Sequence, residues 1–219
     1  VMLASALRPV LLPAAHLAFR PDVHGAAHVP RTGAVILAAN HLSVLDSFLI
    51  PLMTPRRVSF LAKEEHFRHW PRRTFLTAVD AIPVPRGGFR AAQDALDAAL
   101  RVLDGGGAFG IHPEGSRSRD GRLYRGRTGV GWLALASGAP VVPVAVQGTE
   151  KIQPVGARLP RFGRVTVRFG TPLRFAPPPD GKQARARRAA TDQIMDAIAE
   201  LSGQQRANEY NELSGGPPG

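Results

Sequence analysis

The chain has no cysteine. A disulfide scaffold, a thiolate metal site and cysteine nucleophile chemistry are therefore excluded. Lysine is nearly absent too: of the 28 cationic residues only Lys63, Lys151 and Lys182 are lysine, and the rest are arginine. Acidic residues number 17, so the net charge is +11 and the isoelectric point near 11.4. Such a surface attracts polyanions, whether nucleic acid, anionic headgroups or phosphorylated substrates, and arginine offers a planar fork for phosphate oxygens. No stretch of about 18 uninterrupted apolar residues exists, so no transmembrane helix is expected. The nearest candidate, Val1 to Phe19, carries Arg8, Pro9, Pro13 and His16, which break the apolar run and are expected to break a helix. It has neither a basic leader nor a small-residue cleavage site. Its composition suits a segment lying along a membrane surface.

What remains is a globular composition, 44% hydrophobic and 21% charged over 219 residues, enough for one domain with appendages. Gly and Pro are frequent but follow no collagen period. Short apolar, β-branched runs at 35–39, 58–62, 81–84, 108–111, 141–146 and 165–169 read as strands covered on both faces. Between them, 89–103 repeats apolar residues at helical spacing and is stopped by Gly105. Thr128 to Ser137 reads as a helix closed by Gly138, and 183–201 as a C-terminal helix. This alternation predicts an α/β fold, a mixed and mostly parallel sheet flanked by helices. The expected division is a helical membrane-interface segment at 1–19, a domain at 20–202 and a flexible tail at 203–219. No G-x-G-x-x-G follows a strand and no P-loop motif occurs, which removes dinucleotide and P-loop readings.

Three clusters carry chemistry. Asn40-His41-Leu42-Ser43-Val44-Leu45-Asp46 follows a strand, where ligands of open α/β sheets gather. A histidine there can take a proton from a hydroxyl, and a carboxylate that fixes its tautomer raises its basicity. Ser43 and Asp46 also make a capping-box start for a helix at 44–52, and Ser43 is read as that cap rather than as a nucleophile, since no G-x-S-x-G elbow is present. His112-Pro113-Glu114-Gly115-Ser116-Arg117-Ser118 follows another strand and offers an acceptor, a hydroxyl and a cationic fork in a tight turn, suited to a phosphorylated polyol. Arg86 precedes a glycine pair at a third strand exit. Each cluster alone is also compatible with an ordinary cap, turn or solvated ion pair.

Taken together and in order, these clusters resemble the 1-acylglycerol-3-phosphate acyltransferase family of glycerolipid acyltransferases, over roughly residues 20 to 175. Asn40-His41-x-Ser43-x-x-Asp46 matches its first block and Arg86 the arginine of its second. Pro113 to Ser118 match the third, and Val142-Pro143 the fourth. Pro85 stands where the second block usually has an acidic residue, His112 where an aromatic is common, and Ser116 where threonine is common. The resemblance implies transfer of a long acyl chain from coenzyme A or acyl carrier protein to the hydroxyl of a lysophospholipid, 1-acylglycerol-3-phosphate first. An amino-lipid or glycolipid acceptor stays open, and so does, from another class, a basic nucleic-acid binder; the spread of arginine along the chain, two tyrosines and the lack of a nucleic-acid module argue against the latter.

The roles it implies are His41 as general base and Asp46 as its orienting partner. Arg86, Glu114, Gly115, Ser116 and Arg117 bind the acceptor's glycerol phosphate, and Pro140, Val142 and Pro143 border the acyl site. The thioester is a co-substrate, and neither metal nor cofactor is required. An amide of the Gly115 turn is the candidate oxyanion donor. The expected setting is peripheral, on an anionic membrane surface at the cytoplasmic face. Contact there is expected through residues 1–19 and the cationic-aromatic run His66 to Leu76, whose cations are Arg68, Arg72 and Arg73.

Overall fold

The structure, a computed structural model, describes residues 2–63, 81–84, 88–177 and 181–212. Arg86 and the run His66 to Leu76 lie outside the described residues. In chain order the elements are α1 (Met2–Phe19), β1 (Asp22–His24), β2 (Val35–Ala39), α2 (Asp46–Met53), β3 (Ser59–Lys63), β4 (Ile82–Val84) and α3 (Gly88–Asp104). They continue with β5 (Ala108–Ile111), α4 (Gly129–Ser137), β6 (Val141–Gln147), α5 (Thr149–Ile152), β7 (Thr166–Phe169) and α6 (Gln183–Ser202).

Seven strands form one sheet in the order β1-β7-β6-β2-β5-β3-β4. All neighbours are parallel except β6 and β7, which run antiparallel with Val146 opposite Val167. β2 lies at the centre, with Ile36 opposite Phe109 of β5 and Val141 of β6. All five of its residues are buried, because helices cover both faces of the sheet. Alternation along the strands sorts the core into two layers. Val35, Leu37, Ala39, Val142, Val144 and Val146 pack toward α1 and α2, with Ala15, Leu49 and Ile50. Ile36, Ala38 and Val141 pack toward α3, α4 and α6, with Ala99, Leu133, Ile194 and Ile198. The expected mixed, mostly parallel α/β sheet is the one observed.

The expected N-terminal helical segment is observed, as one helix of 18 residues that contains both Pro9 and Pro13 without being broken by them. The prolines are four residues apart and exposed, so the carbonyls they leave without an N–H partner fall on one solvent face, where water can serve them. The opposite face packs through Leu12, Ala15 and Phe19, and Arg8 donates to the Leu52 and Thr54 carbonyls at the end of α2.

One expectation is corrected, that of a flexible tail from residue 203. Residues 204–212 form a strap across the 116–127 loop. Leu123 N–H donates to the Gln205 carbonyl (2.9 Å), Ala207 N–H to the Leu123 carbonyl (2.8 Å) and Arg125 N–H to the Glu209 carbonyl (2.9 Å). Asn211 donates to the carbonyls of Ser116 (3.3 Å) and Arg117 (3.1 Å).

Candidate active site

The site is built where β2, β5 and β6 end together. Asn40, fully buried, closes β2 onto β6: its Nδ2 donates to the Val146 carbonyl (2.9 Å) and its Oδ1 accepts Val146 N–H (2.8 Å). This amide-to-peptide pair fixes the direction in which the next residue, His41, leaves the sheet. The chain then turns into α2, which carries Asp46 in its first turn.

Asp46 is fully buried, and every oxygen is engaged. Oδ2 accepts the N–H groups of Leu42 (2.7 Å) and Ser43 (2.7 Å) and lies 3.1 Å from His41 Nδ1; Oδ1 accepts the hydroxyl of Thr149 (2.6 Å). Burial pushes this carboxyl's pKa up, but the His41 hydrogen bond, the His41 and His112 charges and the Ser43 amide outweigh it, and the net shift is downward. An ionised Asp46 requires the proton on His41 Nδ1. His41 Nε2 is then the free lone pair, on a side chain 16% exposed.

Ser43 does not make the side-chain cap expected of it at the helix start. α2 begins behind Leu45, and the Ser43 hydroxyl donates to the Gln153 carbonyl (2.8 Å) while accepting Leu45 N–H (3.3 Å). Its buried oxygen is held away from nucleophilic use.

His112 lies flat on His41, with ring centroids 3.9 Å apart and planes 8° from parallel. Its Nδ1 is 3.2 Å from the Ala39 carbonyl and 3.0 Å from that of Asn40, which makes Nδ1 the donor and leaves Nε2 to accept from Ser47 (3.1 Å). Burial above all, with the neighbouring His41 charge, lowers its pKa to about 3, so the ring is neutral. Gly110 makes this packing possible: a Cβ there would lie 2.0 Å from the Phe60 ring, which tilts against His112 at 5.5 Å.

The 113–118 turn differs in part from its expected role. Glu114 is fully buried and holds the site's backbone: Oε1 accepts His41 N–H (2.9 Å) and Oε2 accepts Tyr124 N–H (2.9 Å). It clamps two loops together. The Gly115 amide, the candidate oxyanion donor, is given to the His112 carbonyl (3.0 Å) in a turn that needs φ = 78° at Gly115. Ser116 Oγ donates to the Glu212 carbonyl (2.6 Å) and is buried. Arg117 is the exception. It is half-buried beside the dyad, its Ser118 neighbour donating to the His41 carbonyl (2.7 Å), and its guanidinium has no hydrogen-bond or ion-pair partner among the described residues.

Pro140, Val142 and Pro143 are buried in and before β6. Val142 faces the α1–α2 layer, and the Pro143 ring lies so near Gly170 that a Cβ there would be 2.9 Å from its Cγ. Their side chains build core rather than an open wall. Asn40, Thr149 and His112 had no assigned role from sequence. Thr149 follows Gly148, whose φ of 93° ends β6; a glycine and a hydroxyl at a strand exit are the signal that could have found it. Among the described residues no three His, Asp or Glu side chains gather at a metal-binding spacing.

Burial drives Glu114 upward to about 7, against the pull of the Tyr124 and His41 amides and aided by Asp46 and Asp120. The folded chain therefore keeps this proton between pH 4.5, the ordinary value, and about 7, where the unfolded chain has released it. Stability from this group is complete below that window and is lost as pH rises through it, by ~3 kcal/mol at most. Glu114→Gln removes the titration and leaves one amide without an acceptor, at a cost of about 1–3 kcal/mol. Urea midpoints measured from pH 4.5 to 8 are expected to show the gap between wild type and variant narrowing as pH rises, with no further change above 8.

Fold and site together define an α/β protein with an ordered histidine–aspartate dyad at the carboxyl edge of its sheet and an unpaired arginine beside it. The family model described as Acyltransferase matches residues 20–147, and the chain belongs to that family. Among its relatives, the chloroplastic 1-acyl-sn-glycerol-3-phosphate acyltransferase BAT2 of Brassica napus is 29% identical over 157 residues, 71% of this chain and 45% of that protein. The 1-acyl-sn-glycerol-3-phosphate acyltransferase of Bacillus subtilis is 28% identical over 156 residues, 70% of this chain and 74% of that protein. The crystal structure of the 1-acyl-sn-glycerophosphate (LPA) acyltransferase PlsC from Thermotoga maritima superposes with a TM-score of 0.68 at 25% identity, covering 90% of this chain and 82% of that one. The chain spans about half the length of the curated relatives it matches, the Bacillus protein excepted.

Proposed function

We propose that the chain transfers an acyl group from a thioester, of coenzyme A or acyl carrier protein, to the free hydroxyl of 1-acylglycerol-3-phosphate, giving phosphatidate. The observation that carries this is the dyad with its free Nε2 next to the unpaired guanidinium of Arg117. The acceptor hydroxyl gives its proton to His41 Nε2 as its oxygen attacks the thioester carbonyl. The tetrahedral adduct collapses, the C–S bond breaks, and the thiolate takes the proton from the imidazolium. Asp46, ionised and buried, offsets the charge on His41 during the step. Arg117 meets the acceptor phosphate in this reading, which its half-buried guanidinium, with a fork not used by the described residues, supports. A thioester is already activated, so positioning and one base are the main demands. The relatives' named acceptor and the basic surface support the phosphorylated substrate over an amino-lipid or glycolipid, and an anionic membrane surface is where such a substrate is met.

The direct test is thiol release from an acyl thioester in the presence of a panel of acceptors, with products read by lipid mass spectrometry. Release that requires lysophosphatidate supports the reading; release that favours a phosphate-free acceptor overturns the acceptor assignment. Arg117→Ala is expected to raise KM for lysophosphatidate about 10- to 100-fold, the loss of a charge-assisted contact of roughly 1.5–3 kcal/mol, and to leave kcat nearly unchanged. Initial rates against lysophosphatidate and against monoacylglycerol check this, since the phosphate-free acceptor should not register the substitution.

A further inference from the structure

Four of the large apolar side chains that stand in water belong to two neighbouring segments. Val10 and Leu17 (80% exposed) are on α1, and Leu159 (80%) and Phe162 (83%) are on the 153–165 loop that follows α5. Leaving a leucine or phenylalanine in water forgoes the gain of burying it. The loop is tied to the end of the helix by Gly163 N–H to the Ala18 carbonyl (3.1 Å) and Val165 N–H to the Phe19 carbonyl (3.0 Å). Leu17, Ala18, Arg20, Phe162, Gly163 and Arg164 line one open groove between them.

Cations lie in and beside this groove: Arg20 and Arg164 line it, and Arg158 and Arg161 are on the same loop. All four are exposed, and no guanidinium among them has a hydrogen-bond or ion-pair partner among the described residues. The carboxylates nearest in sequence are already in use: Asp22 pairs with His24 (3.0 Å), and Glu150 accepts Gly148 N–H (2.9 Å). The backbone adds an independent observation. Arg20 has φ = 39° and is the only non-glycine among the described residues with positive φ. It stands just after α1, a position where glycine adopts positive φ without strain. Its N–H closes the helix on the His16 carbonyl (3.0 Å), and the residue lines the lip of the apolar groove.

We propose that the groove between α1 and the 153–165 loop is a docking surface for an anionic lipid bilayer. Leu17, Leu159 and Phe162 enter the interface, and Arg20, Arg158, Arg161 and Arg164 meet lipid phosphates. Exposed apolar tips beside unpaired arginines suit a surface that is anionic at its face and apolar a few ångströms deeper. The inference deepens the proposed function, because it says where a lipid-acylating chain rests on its membrane. It also joins that surface to the dyad: Thr149, at the foot of the loop, holds Asp46, and the Gln153 carbonyl accepts from Ser43.

The test uses the full chain with vesicles of phosphatidylcholine alone or mixed with phosphatidylglycerol. Replacing Leu159 and Phe162 together with serine is expected to weaken binding to the mixed vesicles at least about tenfold, the equivalent of burying one such side chain. Arg158, Arg161 and Arg164 to Gln should weaken binding to the mixed vesicles and leave the neutral ones as they were. Arg20→Gly should weaken anionic binding while melting no lower than wild type. Turnover of a water-soluble short-chain thioester and acceptor should be unchanged in all three. Wild-type binding by the serine double variant overturns the proposal, and so does a change of oligomeric state in that variant without a change in vesicle binding, which would assign the groove to a second copy. Vesicle binding is read without turnover, so a chain that docks through this groove and transfers no acyl group refutes the proposed activity and leaves the docking surface standing.

Discussion

His41→Ala is expected to reduce acyl transfer by about 10²–10⁴-fold, the usual contribution of a positioned base, with the fold intact. The side chain sits at the sheet's edge and contributes one hydrogen bond, to Asp46, whose carboxylate keeps its other partners, the Leu42 and Ser43 amides and the Thr149 hydroxyl. The cost in stability should accordingly be small. The backbone N–H of residue 41 still reaches Glu114, so the two loops stay clamped. Thiol release from the thioester, measured beside circular dichroism and a melting curve, checks both halves. Near-normal turnover by this variant would remove His41 from the chemistry.

For Asp46→Asn the expected loss in kcat is of the same order, on the order of 10²–10⁴-fold. An asparagine keeps one acceptor oxygen for the three N–H groups now on Oδ2, and the Thr149 hydroxyl can turn to accept from the new amide. The fold should survive, with a loss on the order of 1–3 kcal/mol from a poorer buried network. What cannot survive is the negative charge that offsets the imidazolium. Asp46 is fully buried and cannot reach a substrate, so KM for both substrates should hold while kcat falls. A variant that raises KM and spares kcat would contradict that assignment.

The central sheet was legible because its strands are continuous apolar runs: 35–39 and 108–111 match the observed β2 and β5 to the residue. The dyad was legible because Asn40 and His41 stand at the end of such a run with Asp46 five residues on, and because the other clusters follow in order along the chain. Other features left weak traces. β1 has three residues at the sheet margin and exposes two of them, so it carries no hydrophobic pattern. The prolines of α1 argue against a helix locally, and only the exposure of their face removes the objection. Glu114 reads identically in sequence whether its carboxylate faces a ligand or two backbone amides. The distinction comes from the approach of Tyr124, ten residues on.

The strap at 204–212 left the weakest trace, because its hold on the 116–127 loop is chiefly backbone to backbone and independent of side-chain type. Its place in the chain has a consequence for biosynthesis. A ribosome makes residues 40–46 and 113–118 long before residues 204–212, so the dyad and its turn emerge while the carbonyls of residues 116 and 117 still face water. The segment that carries Arg117 acquires its last hydrogen bonds only when Asn211 arrives, after α6 has folded against the sheet. In the nascent chain the His41–Asp46 segment thus emerges first, and the cation beside it is fixed last.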